Sequence, residues 1–477
     1  MSTFQLWKLF AKRGEREHAH TNILAIIAFA ASTGILLIVL SGVHGFIMRT
    51  SPDHTVTGLF KAIMNQQVAQ VSTDASNPYI SLELALSVFA FCILLVPLCN
   101  LAGAAARLAA STRDARLSAL RLIGVTSSQV VKLTAIEAVV QAVVGTVFGV
   151  IIYVATMPLI MLIPFQSRGF QADELWVGIP LILLVMVIIA MLSLISAFIS
   201  LRNVVISPLG VSKRVSKPLP SKYRAILGCA GLFAAMSFRD WGQFVKVNMI
   251  ISIIMFIAVI MIMMAMFNIM GTWIIAHNAK RALRKPKNAA LLIAMRRILD
   301  NPNRAWRNIS GIALAVFIAG FCAIAQVFAT MTDGSTPTTI EEQQNLVFLQ
   351  DIGTGGTLTL VFAAILAAVS CGVMQAGNVY DQISEYRMLM IEGVDKRVLD
   401  KARYYEVIRP LRIVVLIASV FSLLVIVPFV LSQITNIVLI LNFVGGIALC
   451  FILVAVGAYT SNLVAHNLNV LDYRADD

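Results

Sequence analysis

The sequence predicts an all-α polytopic membrane protein of ten transmembrane helices, arranged as two four-helix units with a two-helix insert between them. Three observations carry this expectation. The 477 residues are 59% hydrophobic and 13% charged, with a mean hydropathy of +0.86; soluble domains are roughly one-quarter charged. Apolar runs of about 20 residues, each long enough to cross a ~30 Å hydrocarbon core, recur along the chain. Finally, a charged interval at 107–137, RLAASTRDARLSALRLIGVTSSQVVKLTAIE, has a counterpart at 375–406, QAGNVYDQISEYRMLMIEGVDKRVLDKARYYE. Setting Gly124 against Gly393 brings Val125 onto Val394 and Glu137 onto Glu406.

Taken in order, residues 1–22 interleave Lys8, Lys12, Arg13 and Arg16 with Phe4, Leu6, Trp7, Leu9 and Phe10, the pattern of an amphipathic helix on the inner membrane face. Span 1 follows at 23–47; its apolar run is too long for a signal-peptide core, so it reads as an uncleaved helix. Span 2 is expected at 84–106, span 3 at 133–161 and span 4 at 175–201, then a basic, proline-containing linker. Apolar segments at 225–238 and 247–275 are read as spans 5 and 6, because the basic stretches on either side both belong on the cytoplasmic face. A second surface helix at 288–307, broken at Asn301-Pro302, precedes span 7 at 309–331. Span 8 is expected at 357–376, span 9 at 413–431 and span 10 at 437–459, with an acidic outer loop at 332–356.

The net charge of +13 invites a nucleic-acid reading, but position argues against it. This topology puts all but five of the 37 Lys and Arg residues (Arg49, Lys61, Arg168, Arg239 and Lys246) on the cytoplasmic side, as the positive-inside rule requires. The expected location is the bacterial cytoplasmic membrane, with both termini inside. All six cysteines lie in apolar runs, so no structural disulfide is expected. The organisation is a first unit at 1–201, a linker at 202–224, an insert with its basic segment at 225–287, and a second unit at 288–477.

In each charged interval apolar residues fall at helical spacing beside charges: Leu117, Leu120 and Gly124 with Arg113 and Arg116, then Ile383, Tyr386, Met390 and Gly393 with Glu385 and Arg387. Such a helix can seat its apolar side in a groove of a soluble partner while its charges fix the register; a solvated loop helix is the plainer alternative. The motifs resemble those of the FtsX/MacB-type permeases of ABC transporters. Their cytoplasmic coupling helix has a pattern like E-x-x-x-L-R-x-x-G, with a Glu near the opening of the next helix. The first copy keeps Leu120, Arg121 and Gly124 but has Arg116 in place of the Glu. The second keeps Glu385, Leu389 and Gly393 but has Met390 in place of the Arg. Each half thus lacks the charge that the other keeps, which implies that two ATPase subunits are gripped asymmetrically. Ala294 to Leu314, with Arg296, Arg297, Asn301, Pro302 and Arg304, looks like the basic elbow before the family's first helix. Ten helices make the chain similar to the bacitracin-efflux branch, without the large outer domain that branch carries between helices 7 and 8.

The resemblance implies a permease subunit, not an enzyme, working with two copies of a cytoplasmic ABC ATPase. ATP and Mg would be bound by that partner, since no G-x-x-x-x-G-K-[ST] motif occurs here. Expected substrates are amphiphiles taken from the membrane: a lipid, a peptide antibiotic or a drug. The alternative is an ATP-driven regulator that signals to an outer cell-wall enzyme or a sensor kinase through loops 48–82 and 332–356. A membrane enzyme acting on lipid-linked substrates is a poor third. All 24 Asp and Glu are placed in loops, at helix ends or in cytoplasmic intervals, which argues against an ion-coupled carrier. Glu137 and Glu406 are expected to open their helices, either as caps facing the helix dipole or as coupling residues. Seven methionines around span 6 read as an adaptable packing surface in preference to a soft-metal site.

Overall fold

A computed structural model describes residues 19–50, 80–122, 127–206, 223, 249–286, 288–330 and 339–430, together with 441, 444–446, 448 and 452. The amphipathic N-terminus, span 5 and most of span 10 lie outside these residues. The described chain forms α1 (Ala19–Thr50), α2 (Ile80–Leu122), α3 (Ser127–Met161), a hairpin of β1 (Pro164–Phe165) and β2 (Arg168–Gly169), α4 (Ala172–Leu175) and α5 (Ile179–Ile206). It continues with α6 (Met249–Leu283), α7 (Ala289–Asp300), α8 (Pro302–Thr330), α9 (Ile340–Ile391) and α10 (Lys396–Val430). Six of these helices are long and apolar enough to cross a membrane.

The packing is hub-like in each half. α1 lies against α2 and α3; α8 lies against α9 and α10 in the same way. The halves meet where α2 packs on α9, flanked by α1 against α9 and by α2 against α8. The helix ends at the charged intervals also keep one offset. α2 ends at Leu122 and α3 begins at Ser127, while α9 ends at Ile391 and α10 begins at Lys396. Both pairs fall in register when Gly124 is set on Gly393.

Close approach of α1 and α3 is secured by small residues. A Cβ at Gly145 would stand 2.5 Å from Phe29 Cβ, and one at Gly149 would stand 2.6 Å from Thr33 Cβ and 2.8 Å from the Ala30 carbonyl. This is the small-xxx-small packing that replaces hydrophobic driving force between helices in lipid. The other sides of α3 and α5 point outward with apolar residues, among them Phe148, Ile151, Leu184 and Val187.

The helices differ from the sequence expectation mainly in length. α2 and α9 do not stop at the membrane edge before a separate coupling helix. Each runs on unbroken through its charged interval, for 43 and 52 residues, or ~65 and ~78 Å at 1.5 Å per residue. α9 also begins well before residue 357, so 340–356 is helix and not outer loop. The reason is local: a Thr339 and Glu342 capping box starts the helix, with Glu342 N–H donating to Thr339 Oγ1 at 3.2 Å and Thr339 N–H donating to Glu342 Oε2 at 3.3 Å. Span 4 is displaced instead: 162–178 folds into the hairpin and α4, and α5 runs over Ile179–Ile206 in place of 175–201.

The elbow breaks where Asn301-Pro302 indicates. Asn301 Oδ1 accepts from the Arg304 N–H at 3.2 Å and caps α8, whose first residue is Pro302. α7 buries Ala290, Leu291, Ala294, Met295 and Ile298 along one face, against α6 and α10. Of the span 6 methionines, Met263, Met264 and Met270 are buried in the packing of α6. There Trp306 lies over Gly271, and its Nε1 donates to Asn268 Oδ1 at 2.5 Å. At residue 446 a Cβ would stand 3.1 Å from Leu360 Cδ2 and 3.5 Å from Ala319 Cβ, which puts this part of span 10 beside α8 and α9.

Candidate functional site

The site is a cavity of ≈ 200 Å³ between the two halves, toward the end of α2 and α9 opposite the charged intervals. Its walls are apolar: Ile38 and Val39 from α1, Phe89 and Leu94 from α2, Leu358 and Phe362 from α9. The charged residues lining it are Glu83, in the first turn of α2, and Asp351, on α9. Both are buried, at 4% and 8% exposure. Asp351 stands one position from the repeat counterpart of Glu83, so each half contributes one carboxylate at nearly the same place.

The hairpin closes the outer end. Its two-residue loop, Gln166-Ser167, takes φ of +56° and +63°, the handedness of a type I′ turn, which non-glycine residues adopt only at a cost. The surroundings hold it there. Gln166 N–H donates to Asp351 Oδ2 at 2.7 Å, and its amide Nε2 donates to Glu83 Oε2. Gln166 therefore ties the first half's α2 to the second half's α9.

Beneath the hairpin, Arg49 at the end of α1 is enclosed, with its side chain 3% exposed. Nε and Nη2 reach the two oxygens of Glu174 at 3.1 and 2.9 Å. Nη1 donates to the Phe165 carbonyl at 3.0 Å and to Gln166 Oε1 at 3.3 Å, and Nη2 also reaches the Gly169 carbonyl at 3.0 Å. All five guanidinium N–H groups thus have acceptors. The ring of Phe170 stacks 4.1 Å from the guanidinium carbon. Glu174 further accepts from Arg168 at 2.8 Å and from the Gln171 N–H at 2.9 Å. His44 Nδ1 lies 2.9 Å from the Glu174 carbonyl, so this ring is part of the same latch.

The residues singled out from the sequence lie at the other end of the same helices. Arg113, Arg116, Leu120 and Arg121 fall in the last turns of α2, and Gly124 lies outside the described residues. Glu385, Arg387 and Leu389 fall in the last turns of α9. Gly393 ends that helix with φ +89°. The Val394 N–H returns to the Leu389 carbonyl at 3.0 Å, closing a Schellman motif whose αL position favours glycine. Asp395 then caps α10 through its Oδ1, 3.1 Å from the Arg397 N–H.

Glu137 and Glu406 do not open their helices. α3 and α10 begin ten residues earlier, at Ser127 and Lys396, beyond the one turn over which a helix dipole acts. Glu406 instead lies 4.0 Å from Arg297 of the elbow, both side chains being largely buried. Arg296 is exposed and Arg304 is half-buried beside Asn301. The expectation that every acid stays clear of the buried interior also needs correction. Glu83 and Asp351 do sit toward helix ends, but the hairpin covers them.

No group of three or more His, Cys, Asp and Glu residues placed to hold a metal ion occurs among the described residues. Residues 87–206, from the second turn of α2 to the end of α5, match the family model described as FtsX-like permease C-terminal. No curated protein matches the chain. With its helices long and apolar enough for several crossings, the chain is a multi-pass membrane protein, and its residues 87–206 are similar to the FtsX-like permease family.

Proposed function

We propose that this protein is the transmembrane subunit of an ABC transporter, coupling ATP hydrolysis in a separate ATPase to export or extraction of an amphiphilic substrate. One observation carries the reading: α2 and α9 each run as one helix from the inter-unit cavity to a charged inner end. Glu83 and Arg121 share α2, ~57 Å apart, and Asp351 and Glu385 share α9, ~51 Å apart, at 1.5 Å rise per residue. Two ATPase subunits closing on those inner ends would tilt both helices and change the width of the cavity between them. The chain would act without catalysis of its own, with ATP and Mg held by the ATPase pair. It would reside in the bacterial cytoplasmic membrane with both termini inside.

The apolar lining suits the body of a lipid, peptide or drug, and the buried carboxylates give the cavity a polar end. The test is co-purification with a cytoplasmic ABC ATPase in nanodiscs, with ATP turnover followed. Stable association with two ATPase copies, lost on Arg121→Glu or Glu385→Arg, is the expected result. Absence of association with any ABC ATPase, or indifference to both substitutions, would overturn the proposal.

A further inference from the structure

The geometry points to a cationic amphiphile as the occupant of the inter-unit cavity, its ammonium group held between Glu83 and Asp351; this deepens the transporter reading and rests on it. The first ground is an unsatisfied acceptor. Glu83 lines the cavity and is 4% exposed, yet its Oε1 accepts no hydrogen bond from an N–H donor among the described residues. A buried carboxylate oxygen left unpaired in apolar surroundings is a standing cost, which an arriving N–H donor removes.

The second ground is charge. Two carboxylates line the cavity, and no Lys, Arg or His is among its described lining residues. The nearest described cations are already engaged: Arg49 is bidentate on Glu174, and Arg168 also turns to Glu174. Gln166 supplies one neutral donor to each carboxylate and cannot balance their charge. A cation seated between the two carboxylates would balance their charge, and it gains most in a site shielded from water.

The third ground is shape. Below the carboxylates the walls are Leu86, Phe89, Leu94, Leu358 and Phe362, which offer an alkyl or aromatic body dispersion contacts and no polar demand. The ligand class is therefore an amine or quaternary ammonium joined to an apolar body. Anionic and zwitterionic amphiphiles would bring a negative group against Glu83 and Asp351.

The test uses the full chain in phosphatidylcholine nanodiscs and three photoreactive probes carrying a diazirine: decyltrimethylammonium, decanol and decyl sulfate. Labelled peptides are mapped by mass spectrometry. The cationic probe should label the cavity at a concentration at least tenfold below that needed by decanol, and decyl sulfate should not label it. Glu83→Gln and Asp351→Asn should each cut the cationic preference at least fivefold while decanol labelling persists. Equal labelling by cationic and neutral probes, a preference unmoved by both substitutions, or no labelling of the cavity overturns the assignment. If a substitution abolishes labelling by both probes, the cavity itself has been lost and the wild-type preference decides. ATPase association, measured on the same preparations, separates the two readings. Loss of cation preference with association intact removes only the substrate class, and absence of association removes the transporter role.

Discussion

Arg49 and Glu174 face each other across 125 positions of sequence as a bidentate pair at 2.9 and 3.1 Å, in the latch that covers the outer end of α1. The pair is enclosed, with side chains 3% and 10% exposed, so removing Arg49 leaves the buried Glu174 with only the half-exposed Arg168 and the Gln171 N–H. Arg49→Met should therefore destabilise the protein by about 3–5 kcal/mol. Arg49→Lys should recover little of this, because a single ammonium cannot span Glu174, Phe165 and Gly169 together. Thermal unfolding in detergent, with tryptophan fluorescence reporting, measures both; a wild-type midpoint for Arg49→Lys would contradict the geometry.

Gly149→Leu should wedge α1 from α3. The new side chain enters where even a Cβ would stand 2.6 Å from Thr33. Overpacking of this kind costs about 1–3 kcal/mol, and more where backbone must move. The expected readout is a lowered unfolding midpoint. Gly42→Ala on α1, where a Cβ meets nothing within 4 Å, serves as the control and should leave the midpoint unchanged.

At Gly393 the expectation reverses: space is open around a Cβ but φ is +89°. Gly393→Val should cost about 1–2 kcal/mol at the turn between α9 and α10 without disturbing the core. Gly393→Asn should cost less, since Asn tolerates the left-handed region. In the proposed complex with an ABC ATPase, ATP turnover should fall in the order Gly, Asn, Val, while membrane insertion stays normal. A Val variant with full turnover would show that this turn does not set the coupling.

Arg297 and Glu406 provide a fourth test. At 4.0 Å and partial burial the pair should show a coupling of about 0.5–1 kcal/mol in a double-mutant cycle with Arg297→Gln and Glu406→Gln. Additive unfolding energies would mean that the elbow is held by the apolar face of α7 alone.

The sequence carried much of this architecture, because apolar runs, charge bias and an Asn-Pro break act locally. The repeat offset was also legible: with Gly124 set on Gly393, the end of α2 falls on the end of α9 and the start of α3 on the start of α10. The ends of α2 and α9 were not. Their polar inner turns look like loops when apolarity defines a span, although no proline separates Ala106 from Leu122 or Ala376 from Ile391, and Gly377 is the one glycine in either stretch. The cavity was harder still. Arg49 was visible as one of five outer basic residues, and Gly145-x-x-x-Gly149 signals close helix packing. Glu83, Asp351, Gln166 and Glu174, by contrast, are brought together only by tertiary folding of three distant segments.

Pro97 gives the two long helices different mechanical characters. It lies inside α2, where it has no N–H to offer the carbonyl of Ile93, a residue of the cavity wall, whereas α9 contains no proline. The rod from the first half thus has a missing rung at mid-membrane, and its counterpart does not. On the proposed coupling, equal strokes delivered at the two inner ends would arrive unequally: one half would flex at Pro97 and spend part of the displacement there, while the other would swing as a piece. The gearing of the machine would then be asymmetric by construction, with one jaw compliant and one driven.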